Sequence, residues 1–154
     1  MIIPQQVKRD FEHTKRKTGN DEVYHKVMKS DFAEYGGFCD LYVDAVNGQI
    51  ETSKVVLLND FVANYKTFIP EILDYLNNSL NPFEKKIKWL IDRAKFTIDV
   101  IDIPAENSKY DLVMICGKSY NFFFVKGEIA LRVEFKDNAI QSIQRKSDIT
   151  KDNG

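Results

Sequence analysis

The sequence predicts an α+β fold, an antiparallel sheet of about five to seven strands packed against one long kinked helix and a second, shorter helix. Three observations predict it. Between Leu57 and Leu80, apolar residues recur at Leu58, Phe61, Val62, Tyr65, Phe68, Ile69, Ile72, Leu73, Leu76 and Leu80, with the gaps of three and four that give a helix one buried stripe. Asn81-Pro82-Phe83-Glu84 supplies an N-cap, a preset φ and a capping-box acid for a second helix. From Phe96 onward the apolar runs become short and β-rich, with brief connections that suit an antiparallel meander.

Taken in order, residues 5–18 read as a short surface helix with Val7 and Phe11 as its anchors, followed by the basic run Lys15-Arg16-Lys17 and a turn at Gly19-Asn20. Glu22–Met28 reads as a strand, with Val23, His25 and Val27 on one face and Tyr24 on the other. Asp31–Gly37 reads as a loop. Phe38–Ala45 is a clearer strand, in which Cys39, Leu41, Val43 and Ala45 share one face and Phe38, Asp40, Tyr42 and Asp44 the other. Asn47-Gly48 marks a turn, and Lys54–Leu58 reads as a short strand leading into the long helix.

That helix is expected to start near Asn59-Asp60 and to end near Asn77-Asn78. Pro70 costs roughly 3 kcal/mol inside a helix. The stripe keeps its phase across the proline, so one kinked helix or two coaxial ones is expected, and burial at about 1.5–3 kcal/mol per large apolar side chain outweighs the penalty. In the second helix, Phe83, Ile87, Leu90, Ile91 and Ala94 form the apolar face, Trp89 sits at its edge, and Lys85, Lys86, Lys88 and Arg93 point outward. Five strands are expected next, at Phe96–Ile103, Tyr110–Cys116, Tyr120–Val125, Ile129–Phe135 and Ile140–Arg145. Gly117-Lys118-Ser119 serves as a hairpin turn, and Phe122-Phe123-Phe124 is core. Ile140 and Ile143, three apart, require a bulge if both are buried. The chain is expected to be a single domain over 1–154 with a polar tail after about residue 147.

The totals exclude several function classes. A chain of 154 residues with 44% hydrophobic and 29% charged residues has an ordinary globular composition. A net charge of −1 gives no whole-molecule field to steer nucleic acid or an anionic membrane toward it. No apolar run reaches a membrane span of about 18 residues, and the first residues lack a signal-peptide pattern. The reading is of a cytoplasmic protein in which Cys39 and Cys116 are buried free thiols.

Motifs for chemistry are weak. Gly117-Lys118-Ser119 resembles the end of a phosphate-binding loop, but Leu112 stands where that loop needs glycine, and a strand rather than a helix follows. His13 and His25 are the only histidines, without metal-ligand spacing or a nucleophile elbow beside them. Neither a catalytic residue, a metal ligand nor a cofactor site is assigned. The charge pattern is more informative. Residues 31–53 hold five acids (Asp31, Glu34, Asp40, Asp44, Glu51) and no Lys or Arg, whereas residues 83–95 hold five bases against two acids.

The strand Gly37-Phe38-Cys39-Asp40-Leu41-Tyr42-Val43-Asp44, followed by a long helix and a β-rich C-terminal half, resembles several small bacterial α+β domain families. Some of these are similar to immunity proteins of polymorphic-toxin systems, which bind and block a toxin. The resemblance implies a non-enzymatic protein-binding module, immunity-like or regulatory, acting by steric and electrostatic occlusion. The candidate partner surface is the acidic region around Glu34, Tyr35, Asp40, Tyr42 and Asp44, where tyrosine area and carboxylates would complement a basic partner. The alternatives are a small enzyme or ligand-binding domain with a pocket between helices and sheet, and a nucleic-acid adaptor using the 83–95 bases.

Overall fold

The computed structural model describes residues 12–15, 22–29, 31–45, 48–104 and 108–146. Seven strands lie side by side in chain order in one sheet: β1 (Glu12–Lys15), β2 (Glu22–Met28), β3 (Cys39–Ala45), β4 (Phe96–Ile103), β5 (Leu112–Phe122), β6 (Val125–Lys136) and β7 (Ala139–Arg145). Every neighbouring pair is antiparallel except β3 and β4, which run parallel. A parallel pair needs a crossover, and the helices supply it: α1 (Thr52–Asn64), a 3-10 turn (Tyr65–Phe68), α2 (Ile69–Asn78), α3 (Pro82–Lys86) and α4 (Lys88–Arg93). The fold is therefore α+β with a C-terminal meander, as the sequence predicts.

The long helical segment starts earlier than expected, and it is two joined helices in succession, one of the two forms expected. Lys54–Leu58 is helix, not strand, because Val55, Leu58 and Phe61 already follow the helical stripe and are buried. The stripe continues through Tyr65, Ile69, Ile72 and Leu76. Pro70 does not fall in a helix interior. The first helix tightens into the 3-10 turn, and Pro70 falls in the first turn of α2, where no intrahelical partner exists for an amide. At Asn81 the capping box forms as expected. The Glu84 amide donates to Asn81 Oδ1 at 2.8 Å and the Asn81 amide to Glu84 Oε1 at 2.9 Å. The helix it opens breaks at Ile87 into α3 and α4, and Phe83, expected in the apolar face, is exposed.

The inward face of β3 is the expected one, since Cys39, Leu41, Val43 and Ala45 are all buried. Rings join sheet to helices in a chain of contacts: Phe135 meets Phe61, Phe61 stacks on Tyr65, Tyr65 meets Tyr35 edge-on, and Tyr35 meets Phe96, with centroids 5.2–6.0 Å apart. Such pairs add to plain burial.

Two other expectations change. Glu12–Lys15 is strand rather than helix; the remainder of that expected helix, residues 16–20, Asn47 and the tail after 146 lie outside the described residues. On β2 the expected alternation holds, with Tyr24 and Met28 on the face that joins the core and Val27, on the opposite face, exposed. The C-terminal part holds four strands, not five, because Gly117-Lys118-Ser119 is extended backbone within β5. Gly117 permits close pairing there, since a Cβ would collide with the Ile129 carbonyl of β6. The bulge expected near Ile140 is present. Phe135 pairs with Ile140 and Glu134 with Ser142, leaving Gln141 as the extra residue, and both Ile140 and Ile143 pack against the core.

Candidate docking site

The residues that depart furthest from ordinary folding chemistry are Phe122, Phe123 and Phe124. The run was expected in the core, yet it forms the tip of the β5–β6 hairpin. Phe122 pairs with Val125, leaving a two-residue loop of Phe123 and Phe124. Phe123 is 83% and Phe124 100% exposed. Phe123 also holds φ at 53°, at the first central position, where hairpins with that sign of φ favour glycine. A bulky side chain there is strained by roughly 1–2 kcal/mol. The β6–β7 turn shows the usual solution, with Asp137 and Asn138 at φ 51° and 59°, residue types that tolerate this region.

Trp89 of α4 extends the aromatic surface. It is 47% and Phe122 46% exposed, and their rings meet edge-on at 5.3 Å. Phe122 also meets Phe123 at 4.6 Å. Arg93 lies over the Trp89 ring at 5.7 Å, a cation–π arrangement. Exposed Lys85, Lys86 and Lys126 lie on the same α3–α4 segment and on the hairpin itself. Lys88 is partly neutralised by Asp92, to which it donates at 2.8 Å. The result is an aromatic projection with Arg93 against it and Lys126 next to its loop.

The base of the projection is fixed firmly. Tyr120 pairs with Gly127 and its ring covers the glycine, where a Cβ would meet the Tyr120 hydroxyl. Lys118 Nζ donates to the Ile91 carbonyl at 3.0 Å, tying β5 to α4; burial holds its ammonium below the usual lysine value. Arg145 of β7 grips Glu84 of α3 through two hydrogen bonds of 2.6 and 3.0 Å and also donates to the Ser79 carbonyl. Burial opposes the charged form of Glu84, but the Arg145 bonds and the Asn81 amide outweigh it, so the carboxyl titrates below its ordinary value.

The acidic residues singled out from the sequence divide between two places. Glu34 and Tyr35 sit on a 3-10 turn, Ala33–Tyr35, beside the helices. Glu34 accepts from Lys66 Nζ at 3.0 Å, and Tyr35 is half-buried between Tyr65 and Phe96. Asp40, Tyr42 and Asp44 alternate with the core residues of β3 and so lie on the face turned away from the helices. There His25 Nε2 and Asp40 Oδ1 are 2.8 Å apart and the His25 ring stacks on Tyr42 at 4.7 Å, while Asp44 is buried. The five are not one contiguous surface.

Among the described residues, no group of three or more His, Cys, Asp or Glu could hold a metal ion, and no helix is long and apolar enough to cross a membrane. The sequence reading missed the tip because a run of three Phe reads as core. The available signal was its position, between polar Asn121 and Lys126-Gly127 and too short to need both faces of a central strand. Comparison with protein-family models, curated proteins and solved structures returns no match.

Proposed function

We propose that this protein is a binding module that docks on a partner protein through the β5–β6 tip. The observation that carries the reading is Phe123, an exposed ring kept at a glycine-type backbone angle. Strain of this kind persists where the surrounding structure enforces it and is concentrated at functional positions. Aromatic anchors entering a partner's pocket are the usual source of binding energy at an interface. Arg93 over the Trp89 ring and Lys126 beside the loop would match an acidic rim on that pocket and hasten encounter. This partner is opposite in charge to the one expected from residues 31–53, and an immunity-like or regulatory role is the form of the proposal in which the docked partner is blocked.

Capture from cells of the source organism tests it. A protein retained by the wild-type chain and lost with Phe123→Ser/Phe124→Ser supports docking through the tip. Retention that survives the double substitution but is lost with Asp40→Lys would move the site to the β3 face. Retention of anionic vesicles in place of any protein would replace the protein partner with a membrane surface.

A further inference from the structure

At the far end of the same hairpin, a groove of about 360 Å³ opens between α1, the 3-10 turn and the ends of β5 and β6. That volume is within the range of small-ligand sites, roughly 300–1,000 Å³. The register from Leu112↔Phe135 to Phe122↔Val125 separates it from the aromatic tip by about 34 Å, at about 3.4 Å per residue. It is independent of the docking site proposed above.

Its floor is apolar and aromatic. Phe61 and Phe68 each meet Phe135, at 5.2 and 5.1 Å between centroids, and Leu112 closes the bottom. The rim is polar, formed by Asp60, Asn64, Thr67, Asp111 and Asn138. Asn64 Nδ2 donates to the Asp60 carbonyl at 2.9 Å, and the Thr67 hydroxyl to the Asn64 carbonyl at 2.7 Å. The rim charge left without a cation among the described residues is the Asp60 carboxylate, and the side-chain oxygen of Asn64 is a further acceptor beside it. Asp111 faces the same groove and accepts from Lys136 Nζ and from the Asp137 amide, each at 2.9 Å. With one lysine against two rim carboxylates, the local charge is negative.

We infer that the groove binds a primary ammonium group carried on a short apolar stem, such as an alkylamine or a lysine side chain. The stem would lie on the phenyl floor, and the ammonium would bring the positive charge that pairs with the Asp60 carboxylate and donate to the rim oxygens. A neutral alcohol brings one donor and no charge, and a carboxylate would be repelled.

The test is a titration of the full 15N-labelled chain with n-butylammonium chloride at constant ionic strength, with n-butanol and butyrate as controls. Saturable shifts are expected at the amides of Asp60, Asn64, Thr67 and Asp111 with butylammonium alone. Asp60→Asn, an exposed helix substitution that leaves the fold intact, should weaken binding by about fivefold. An acetyl-Gly-Lys-Gly-amide peptide is the second arm: tighter binding than butylammonium assigns the site to a lysine side chain, and weaker binding assigns it to a free amine. Equal shifts with n-butanol, or no saturation with either cation, would overturn the inference.

Discussion

Phe123 carries at the β5–β6 turn a conformation that Asp137 and Asn138 carry at the β6–β7 turn, and the two turns differ in how well residue suits backbone. Phe123→Gly removes the strain but adds unfolded-state entropy, so unfolding in urea should show stability unchanged or raised by up to about 1 kcal/mol. A loss larger than that would show that the ring supports the fold rather than a partner. The Arg145–Glu84 pair works in the opposite sense, a half-buried arginine of β7 holding a buried carboxylate of α3. Arg145→Ala should cost about 3 kcal/mol, because it leaves a buried carboxylate without its cation. Since the folded carboxyl titrates below its ordinary value of about 4.3, this contribution is complete above that pH and disappears as pH falls through the folded value. The difference between wild type and Glu84→Gln in urea unfolding should therefore shrink between pH 7 and pH 3.

Among the elements, the α1–α2 segment shows how a sequence can carry a proline within one continuous stripe. Periodicity revealed the stripe from Leu58 to Leu80, and its phase was legible. The true start at Thr52 was not, because Lys54-Val55-Val56 reads locally as strand and Lys54 gave no hint that it would be buried, donating to the Asp44 carbonyl. Since Pro70 sits in a first turn, Pro70→Ala should lower stability by no more than about 1 kcal/mol; a mid-helix proline would instead give a gain of roughly 3 kcal/mol on replacement. In β5, Gly117 was legible as a punctuation mark and was misread as a turn. Its purpose is close approach to β6, which depends on a neighbour that no local pattern reveals. Gly117→Ala should destabilise by about 2 kcal/mol or more in the same assay, because the obstructing atom is backbone.

At the scale of the whole molecule, fold class, the C-terminal meander and the two free buried thiols could all be read from pattern and composition. The candidate sites could not, and the reason is the same for both. An aromatic run and a phenyl-floored groove use the residue types of a core, and only the path of the chain decides which rings end outside it. The thiols make a global check. Burial pushes Cys39 up to about 12, with Asp40 nearby adding to the effect, and burial raises Cys116 as well. A disulfide reagent at pH 8 should modify neither until the chain unfolds, so modification should follow the urea transition; rapid labelling of the native protein would show that the sheet and helices part readily.

The supernumerary Gln141 has a consequence beyond the two isoleucines it lets inward. Among the described residues β7 is the last strand of the sheet, and an edge strand is where a foreign segment can add itself. With one residue out of step, that margin offers no regular ladder to copy. An irregular last strand of this kind is one of the devices that discourage a sheet from growing at its edge.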